Sequence, residues 1–387
     1  MTDEVPGTAL FDVDNHFYEP ADSWTRYLDP KFADSLDIQR FKLTGGGQTF
    51  EPVPGKEDWV VKPGSLKERL RRMKSDDPGE RAELIMPPHP AFYHRDERLA
   101  LMDRQGIEAC LMFSSAVSVE HRFEDPAALY AHLRALNHWI DEEWGFAYQG
   151  RIFCPAMLSL RDLDQAVEEL ERVIVQGARA INLRPGHAYG RSPGDPYFDP
   201  FWARISEAGL SVTFHQGEGG MNPALAPLWG YEGDPPPVGQ SAWQWFNTYG
   251  NAQIMAVLSA LLYDNLFARF PNVMVASVEN GANWLPYFMG LIDKMRGMGR
   301  NGPWNGGQLT ERPTAIARRH FVVTPYPEDD VVGIIEQIGD EMIAMGSDYP
   351  HAEGLAEPKD FGRLLDALSP DRQRWVLHDS GARLVAA

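Results

Sequence analysis

The 387-residue chain has 36 lysine and arginine residues against 55 aspartate and glutamate residues, so its formal charge of −19 argues against a nucleic-acid or anionic-membrane partner. Hydrophobic residues make up 43% of the chain, enough for a large core, and the length fits one α/β barrel with insertions. The two cysteines, Cys110 and Cys154, are too few for a disulfide framework or a cysteine-rich metal site, and we interpret them as buried, reduced thiols of a cytoplasmic protein.

The first segment of the chain, MTDEVPGTALFDVD, carries acids and has no apolar stretch typical of a signal peptide, and no later run is long enough to span a membrane. Short apolar runs then alternate with helical patterns. Helices are expected over 125–143, with Asp125 as N-cap before Pro126, and over 162–175, which has apolar residues on one face. The predicted strands are Ala9–Asp14, Ala109–Phe113, Ile152–Met157, Ala178–Leu183, Leu210–His215, Val273–Val278, Phe321–Thr324 and Met342–Ser347.

This alternation indicates parallel strands with crossover helices, and eight of them fit a closed (β/α)₈ TIM-type barrel. An open doubly wound sheet is the alternative, although no GxGxxG follows the first strand. We predict one barrel domain over residues 1–387, with an inserted subdomain at 21–90 after strand 1 and a Gly- and Pro-rich lid loop at 218–240 after strand 5. Loops after the strand ends of a barrel lie over its active site, so both insertions belong to the catalytic face.

Polar side chains terminate three of the predicted strands. Strand 1 ends in Asp14 and His16, which are two residues apart and therefore point to the same side. Strand 5 is apolar until His215, and strand 8 continues into Asp348. A single histidine at a strand end is more often a packing or capping residue, but imidazole and carboxylate groups from three strands of one barrel can converge at its mouth. Such ligands suit zinc, and also manganese or iron.

Four motifs follow these strand ends in order: DVDNHFYEP, VTFHQGEG, SVENGANWLP and GSDYPHAEG. Together they resemble the amidohydrolase-related family that includes aminocarboxymuconate-semialdehyde decarboxylase and γ-resorcylate decarboxylase, over nearly the whole chain. The resemblance implies a divalent metal ion held by His16, His215 and Asp348, and also by Asp14, which stands where the family usually has histidine or glutamate. It also implies that Asp348 serves both as ligand and as proton shuttle, next to an acidified water.

The chain departs from the family on strand 6, where the decarboxylases have a histidine and this sequence has Glu279. Glu279 either transfers protons, if its surroundings raise its pKa, or is a structural carboxylate paired with an arginine. Arg184 either binds a substrate carboxylate or forms an ion pair at the rim, and His351 either contacts the substrate or lies outside the pocket. Trp229, Trp243 and Trp245 form either an aromatic wall or packing within the lid or a dimer contact.

These features favour a hydrolase that acts on a small, possibly aromatic, carbonyl or carboxylic substrate by metal-activated water, with Asp348, Glu279 and His215 as catalytic residues. The alternative is a metal-dependent non-oxidative decarboxylase of a small aromatic or unsaturated acid. A third hypothesis, a non-catalytic barrel, requires a closed site with four protein ligands. We expect a small-molecule substrate, zinc as the ion and a homodimer.

Overall fold

The structure, a computed structural model, describes residues 9–20, 22–35, 58–72, 83–115, 120–233, 235 and 239–386. The strands are β1 Leu10–His16, β2 Val60–Val61, β3 Ile85–Met86, β4 Ile107–Phe113, β5 Ile152–Phe153, β6 Ala156–Met157, β7 Ala180–Asn182, β8 Ser211–His215, β9 Met274–Val278 and β10 Phe321–Val323. The α-helices are Leu66–Arg72, Arg95–Gln105, Pro126–Glu143, Leu163–Val175, Asp199–Ala208, Met221–Leu225, Ala242–Tyr249, Ala252–Tyr263, Leu266–Arg269, Leu285–Met298, Pro313–His320, Val331–Ile338, Pro370–Arg374 and Ser380–Ala382. Shorter 3₁₀ turns span Pro30–Phe32, Pro90–Phe92, Glu120–Arg122, Pro196–Phe198, Ala226–Trp229 and Pro358–Leu365, and one π turn spans Trp375–Asp379.

Two parallel sheets form the centre of the molecule, one in the order β1-β4-β5 and the other in the order β10-β9-β8-β7-β6. β5 and β6 are the two halves of the predicted strand at 152–157, and they belong to different sheets. The break falls at Cys154 and Pro155, and proline has no backbone N–H to donate to a ladder. The first half pairs with β4 and the second with β7, so this stretch joins the two sheets on one side.

Residues 342–349 join the sheets on the other side. The backbone of this segment bonds to β10 through Ala344 N and Val323 O at 3.1 Å, and to β1 through Val13 N and Met345 O at 3.1 Å. Asp348 N also donates to the carbonyl of Asp14 at 2.7 Å. The ring is thus closed by hydrogen bonds, which contradicts the open doubly wound sheet.

The prediction of a regular strand at Met342–Ser347 is wrong, because this closing segment makes only isolated parallel bridges, at Ile343 and Tyr349. The physical reason lies in Ser347, whose backbone N–H and hydroxyl both donate to the Asp12 side chain instead of a neighbouring carbonyl. Asp348 then adopts a left-handed backbone with φ 53, which no strand contains.

Apolar side chains fill the ring and its outer surface separately. An interior cluster contains Phe11, Val13, Leu111, Phe113 and Val278, and a larger cluster packs the helices against the outside of the strands. The two predicted helices are confirmed as Pro126–Glu143 and Leu163–Val175, with Asp125 and Asp162 as side-chain N-caps. None of the described helices combines the length and apolar character needed to cross a membrane.

Only part of the predicted subdomain at 21–90 falls within the described residues. There β2 and β3 pair antiparallel, and the helix Leu66–Arg72 lies between them in the chain. Gly64 N donates to His351 O at 3.1 Å and Leu66 N to Ala352 O at 2.8 Å, so the start of this helix rests on the loop after Asp348. In the predicted lid loop at 218–240, residues 234 and 236–238 lie outside the described part of the chain.

Candidate metal centre

A shift of register in β1 turns its last side chains toward the barrel mouth. Along β1 the pairing with β4 is irregular between Asp12 and Asn15, after which His16 pairs with the interior residue Phe113. In a regular strand the side chains of Asp14 and His16 would lie on the same face as that of Asp12, because side chains alternate between faces. Irregular pairing of this kind commonly changes the direction of side chains next to active sites.

The structure brings together the four residues predicted as metal ligands. His16 Nε2 lies 3.2 Å from His215 Nε2 and 3.3 Å from both Asp14 Oδ1 and Asp348 Oδ1. His215 Nε2 lies 3.4 Å from Asp14 Oδ1. All four side chains are buried, with Asp348 the most exposed at 7%. Asp14, His16 and His215, from β1 and β8, therefore form one close group of ligand atoms, and Asp348 of the closing segment adjoins it through His16.

These atoms fit a divalent ion better than a set of hydrogen bonds. Asp14 Oδ1 is buried and makes no aligned hydrogen bond with any described residue, although it faces two imidazole nitrogens. Ligand atoms about 2.0–2.2 Å from one tetrahedral zinc ion lie about 3.3–3.6 Å apart, which is close to the spacing among Asp14, His16 and His215. Burial raises the pKa of Asp14, but His16 and His215 more than offset it and lower that pKa overall, so Asp14 is an anion.

The orientation of His215 is fixed by its other nitrogen. Nδ1 lies 3.1 Å from the carbonyl oxygen of Gln216, which can only accept, so Nδ1 carries the hydrogen and Nε2 presents a lone pair to the cluster. Burial and the nearby His351 lower the pKa of His16 well below its usual range, so this imidazole is neutral, which is the form that binds a metal ion.

His351 contacts Asp348 directly. Its Nδ1 lies 2.7 Å from Asp348 Oδ1, its ring centroid lies 4.0 Å from that of His16, and its Nε2 lies 3.4 Å from Ser115 Oγ. Burial, followed by Asp14 and Glu353, raises the pKa of Asp348 well above its ordinary value. The predicted substrate contact of His351 stays a prediction, and what the geometry gives it is an orienting bond to Asp348.

Glu279 lies at the end of β9, beside the same cluster. Its Oε2 is 3.5 Å from His215 Nδ1, and Tyr326 Oη donates to its backbone carbonyl at 2.7 Å. Like Asp348 it has a left-handed backbone, with φ 55, a conformation that costs energy for a residue with a side chain and is concentrated at active sites. Burial, then Asp348 and Asp14, raise the pKa of Glu279 well above its ordinary value.

Arg184 forms the ion pair that the sequence left open as its alternative to substrate binding. Its Nε lies 2.7 Å from Glu120 Oε1, with both side chains largely buried, and its Nη2 donates to His187 O at 2.8 Å. The guanidinium also lies over the ring of Tyr189, at 4.7 Å from the centroid. With these partners, binding of a substrate carboxylate by Arg184 stays a prediction.

The tryptophans after β8 pack mainly with one another and their neighbours. Trp243 stacks on Tyr231 at 5.1 Å and lies 5.7 Å from Trp229, while Trp229 and Trp245 remain 68% and 40% exposed. The chain leaving β8 is fastened by Gln253, whose side chain accepts from Gly219 N at 2.6 Å. The packing interpretation of these tryptophans therefore fits their contacts, and their outer faces remain open.

Several residues of the site were missed by sequence reasoning. Glu353 offers an oxygen within 4.8 Å of ligand atoms of Glu279 and Asp348, and its place in the quoted motif GSDYPHAEG was the one available signal. Asp12 fixes Ser347 beside Asp348, and the alternating pattern Asp-x-Asp-x-His pointed to it. The fully buried Arg98 donates to Asn15 Oδ1 at 2.8 Å and to the backbone carbonyl of His16. No sequence feature of its helix indicated these contacts with the end of β1.

Comparison with known proteins identifies the family of the chain. The sequence profile described as Amidohydrolase matches residues 86–386. An amidohydrolase from Mycobacterium avium subsp. paratuberculosis is similar in structure, with a TM-score of 0.80, 31% identity, and coverage of 98% of this chain and 99% of that chain. Among curated proteins no significant match was found.

Two more distant structures share the fold. A 5-carboxyvanillate decarboxylase from Sphingomonas paucimobilis has a TM-score of 0.64 at 19% identity, covering 98% of this chain and 99% of its own. A dihydroxybenzoic acid decarboxylase from Polaromonas, solved with manganese and 2-nitroresorcinol, has a TM-score of 0.63 at 17% identity, covering 98% and 97%. The profile match and the relative at 31% identity cover most of the chain, with its α/β TIM-barrel architecture. The chain therefore belongs to the amidohydrolase family, and it is an enzyme of this superfamily of metal-dependent hydrolases and carboxy-lyases.

Proposed function

We propose that the chain is a metal-dependent hydrolase of a small, possibly aromatic, carbonyl compound. The observation that carries the proposal is the close group of His16, His215 and Asp14, whose ligand atoms lie 3.2–3.4 Å apart, with Asp348 Oδ1 3.3 Å from His16. A bound divalent ion would polarise a carbonyl group and lower the pKa of water to about 7. Zinc is the proposed ion, and manganese or iron are the alternatives for this mixed nitrogen and oxygen ligand set.

In this proposal Asp348 both holds the ion and moves the proton. One of its oxygens, Oδ1, accepts a hydrogen bond from His351 Nδ1, which orients the carboxylate. Its raised pKa favours uptake of a proton, which it would then give to the leaving group. His215 contributes by presenting Nε2 as ligand while its Nδ1–H is held by the Gln216 carbonyl.

Glu279 is the proposed second group for proton transfer. It stands where the resembled decarboxylases have their histidine, and its raised pKa gives it a proton to donate. Its Oε2 lies only 3.5 Å from His215 Nδ1, so it reaches the region beside the cluster. The segment after β8 and the helix Leu66–Arg72, which rests on the loop after Asp348, are the proposed covers of the mouth.

Non-oxidative decarboxylation is the second candidate function. The likeness in fold to the Sphingomonas and Polaromonas decarboxylases favours it, and the latter contains manganese. Glu279 would then protonate the ring carbon from which the carboxylate leaves. A small-molecule substrate suits both candidates, and the homodimer, the cytoplasmic location and the single domain with an inserted part at 21–90 remain predictions.

Metal analysis tests the ligand set. Purified wild type is expected to hold one divalent ion per chain by inductively coupled plasma mass spectrometry. His215→Ala and Asp348→Asn should each lose it while circular dichroism shows little change in helix content, because the buried core does not depend on these groups. His378→Ala, which alters a histidine paired with Asp379 outside the cluster, is the control. Retention of the ion by both ligand variants would contradict the proposal.

Activity then separates the two candidate functions. The metal-loaded enzyme is assayed for release of CO₂ from hydroxybenzoates and for hydrolysis of small aromatic amides and esters. Hydrolysis that is lost in Asp348→Asn supports the hydrolase, and CO₂ release alone supports the decarboxylase.

A further inference from the structure

A cleft of about 630 Å³ opens at the end of the barrel opposite the proposed metal centre, a size suited to a small molecule. Its wall includes Met274, the first residue of β9, and His320, which directly precedes β10. The proposed ligands lie at the other ends of the strands, where His215 ends β8. A strand of this length spans about 13 Å, so the cleft is separate from the metal centre.

Two of the three arginines in the cleft wall are paired with carboxylates of the same wall. Arg318 Nη1 lies 3.0 Å from Glu341 Oε2, and Arg319 Nη2 lies 2.9 Å from Glu311 Oε1. His320 adds no charge at neutral pH, because burial lowers its pKa below 6.5. Three arginines and two glutamates therefore leave this wall with one net positive charge, in a chain whose formal charge is −19.

Arg383 is the third arginine of the wall, and within the described part of the chain it forms no ion pair. Its Nη2 donates to the backbone carbonyl of Glu341 at 3.1 Å and its Nε to that of Ser380 at 3.4 Å. The guanidinium lies over the ring of Trp375, 5.2 Å from the centroid. Burial lowers the pKa of Arg383, and no carboxylate offsets that effect.

The environment of Arg383 favours a negatively charged ligand. Its two bonds to backbone carbonyls use two of the five N–H groups of the side chain, so donors remain for a ligand. The guanidinium is partly withdrawn from water without having gained a counterion, so an incoming anion would form a charge-assisted bond without displacing a protein carboxylate. Beside it, Phe267 and Met274 give the wall an apolar surface.

We propose that this cleft binds a small organic monoanion, namely a carboxylate on an aromatic or other apolar body. The carboxylate pairs with Arg383, because a planar guanidinium matches two carboxylate oxygens, and the apolar body lies against Phe267 and Met274. A second negative charge on the ligand would be repelled by Glu311 and Glu341, which favours a monoanion over a polyanion. The cleft shares no residue with the proposed metal centre, so this inference does not depend on the proposed function.

Benzoate and benzyl alcohol test the inference, because they share a ring and differ in one charge. Isothermal titration of the wild type is expected to give a dissociation constant of roughly 1 mM for benzoate, and binding of benzyl alcohol about tenfold weaker. Inorganic phosphate, which has no apolar body, should not displace benzoate at equal concentration.

Two variants test the anchor from opposite directions. Arg383→Gln should weaken benzoate binding by about tenfold, since it removes the charged donor. Glu311→Gln removes an exposed, repelling carboxylate and should strengthen binding by about twofold or more, a gain that a folding defect cannot produce. Circular dichroism verifies that each variant is folded, and unchanged affinity in Glu311→Gln overturns the inference even if Arg383→Gln fails to fold.

Arg363→Gln is the matched control, because it removes the same charge from an exposed arginine that pairs with Asp360 outside the cleft. It should bind benzoate as wild type does. His215→Ala should do so as well, and loss of binding in that variant would place benzoate at the metal centre and overturn the inference. The inference also fails if wild type does not bind benzoate, if benzyl alcohol binds equally well, if phosphate displaces benzoate, or if folded Arg383→Gln keeps its full affinity.

Discussion

Gly346 shows how tightly a single residue is constrained beside the proposed ligands. A Cβ at this position would lie 2.8 Å from Asp14 Cβ and 3.1 Å from Thr324 Cβ, and neither atom can move without its backbone. We expect Gly346→Ala to lower metal content and to reduce the free energy of unfolding by about 1–3 kcal/mol, as overpacking does. Metal analysis and urea denaturation measure both effects.

Gly290 provides the comparison for that substitution. It lies in the helix Leu285–Met298, and a Cβ there would meet nothing within 4 Å. Gly290→Ala should leave metal content unchanged and stabilise the protein by up to about 1 kcal/mol, because alanine is the better helix former. Equal effects of the two substitutions would refute the steric argument.

At the residue scale, the sequence predicted the groups that end strands and missed those that act through tertiary contacts. Asp14, His16 and His215 could be found because each follows an apolar run, which marks a strand end. The pairing of Arg184 with Glu120 could not be found, since these residues are 64 positions apart and Glu120 lies in a short 3₁₀ turn. The alternative roles of Arg184 were chemically equal until its neighbour was known.

The side chain of Gln253 helps to hold the segment that follows β8. Gln253 accepts from Gly219 N at 2.6 Å and donates to Asn247 O at 3.0 Å, so it ties both ends of the segment together. Gln253→Ala would leave a buried N–H without a partner, at a cost of about 1–3 kcal/mol. We expect limited proteolysis to cut between residues 220 and 249 faster in this variant, while the rest of the chain keeps its wild-type resistance.

Gln337→Ala is the control for that experiment, because Gln337 is exposed and its side chain donates to Gly333 O within its own helix. The protease should cleave this variant at the wild-type rate. Unchanged cleavage in Gln253→Ala would show that other contacts hold the segment.

We expect His320, at the junction between the helix Pro313–His320 and β10, to make the stability of the fold depend on pH. His320 is buried, stacks on Phe267 at 4.4 Å and donates through Nδ1 to Val273 O at 2.8 Å. Burial lowers its pKa below 6.5 in the folded state. The unfolded chain therefore binds more protons as the pH falls through 6.5, so the stability contributed by neutral His320 is present above that pH and is lost below it.

His320→Asn keeps a hydrogen-bond donor in a comparable place but does not titrate in this range. The advantage of wild type over this variant in free energy of unfolding should shrink between about pH 7.5 and about pH 5. Urea denaturation at several pH values measures the difference. A difference that stays constant with pH would contradict the assignment.

Elements were predicted well where a pattern is local. The helices at 126–143 and 163–175 follow from caps and apolar spacing, both of which are written in adjacent residues. The stretch at 152–157 was predicted as one strand, and its division at Pro155 between two sheets depends on which neighbour each half meets. The closing segment was wrongly predicted as a strand. The hydrogen bonds from Ser347 to the Asp12 side chain take the place of strand pairing there, and they join residues 335 positions apart, so no local pattern indicates them.

For the whole molecule, the proposed ion links distant parts of the ring. Its ligands come from β1, β8 and the closing segment, and an unfolded chain does not hold them together. Binding at a hundred times the dissociation constant should therefore stabilise the fold by about 2.7 kcal/mol. The melting temperature of wild type should rise with added zinc or manganese, and that of His215→Ala should stay flat. A wild-type melting temperature independent of metal would contradict this linkage.

The closing segment at 342–349 seals the ring and also carries Asp348. During synthesis, Asp14, His16 and His215 are made well before the closing segment. Until residues 342–349 are made and dock, the gap between β10 and β1 stays open, and we expect the incomplete site to bind an ion weakly. We therefore expect the proposed ion to bind fully only after residues 342–349 have docked between β10 and β1.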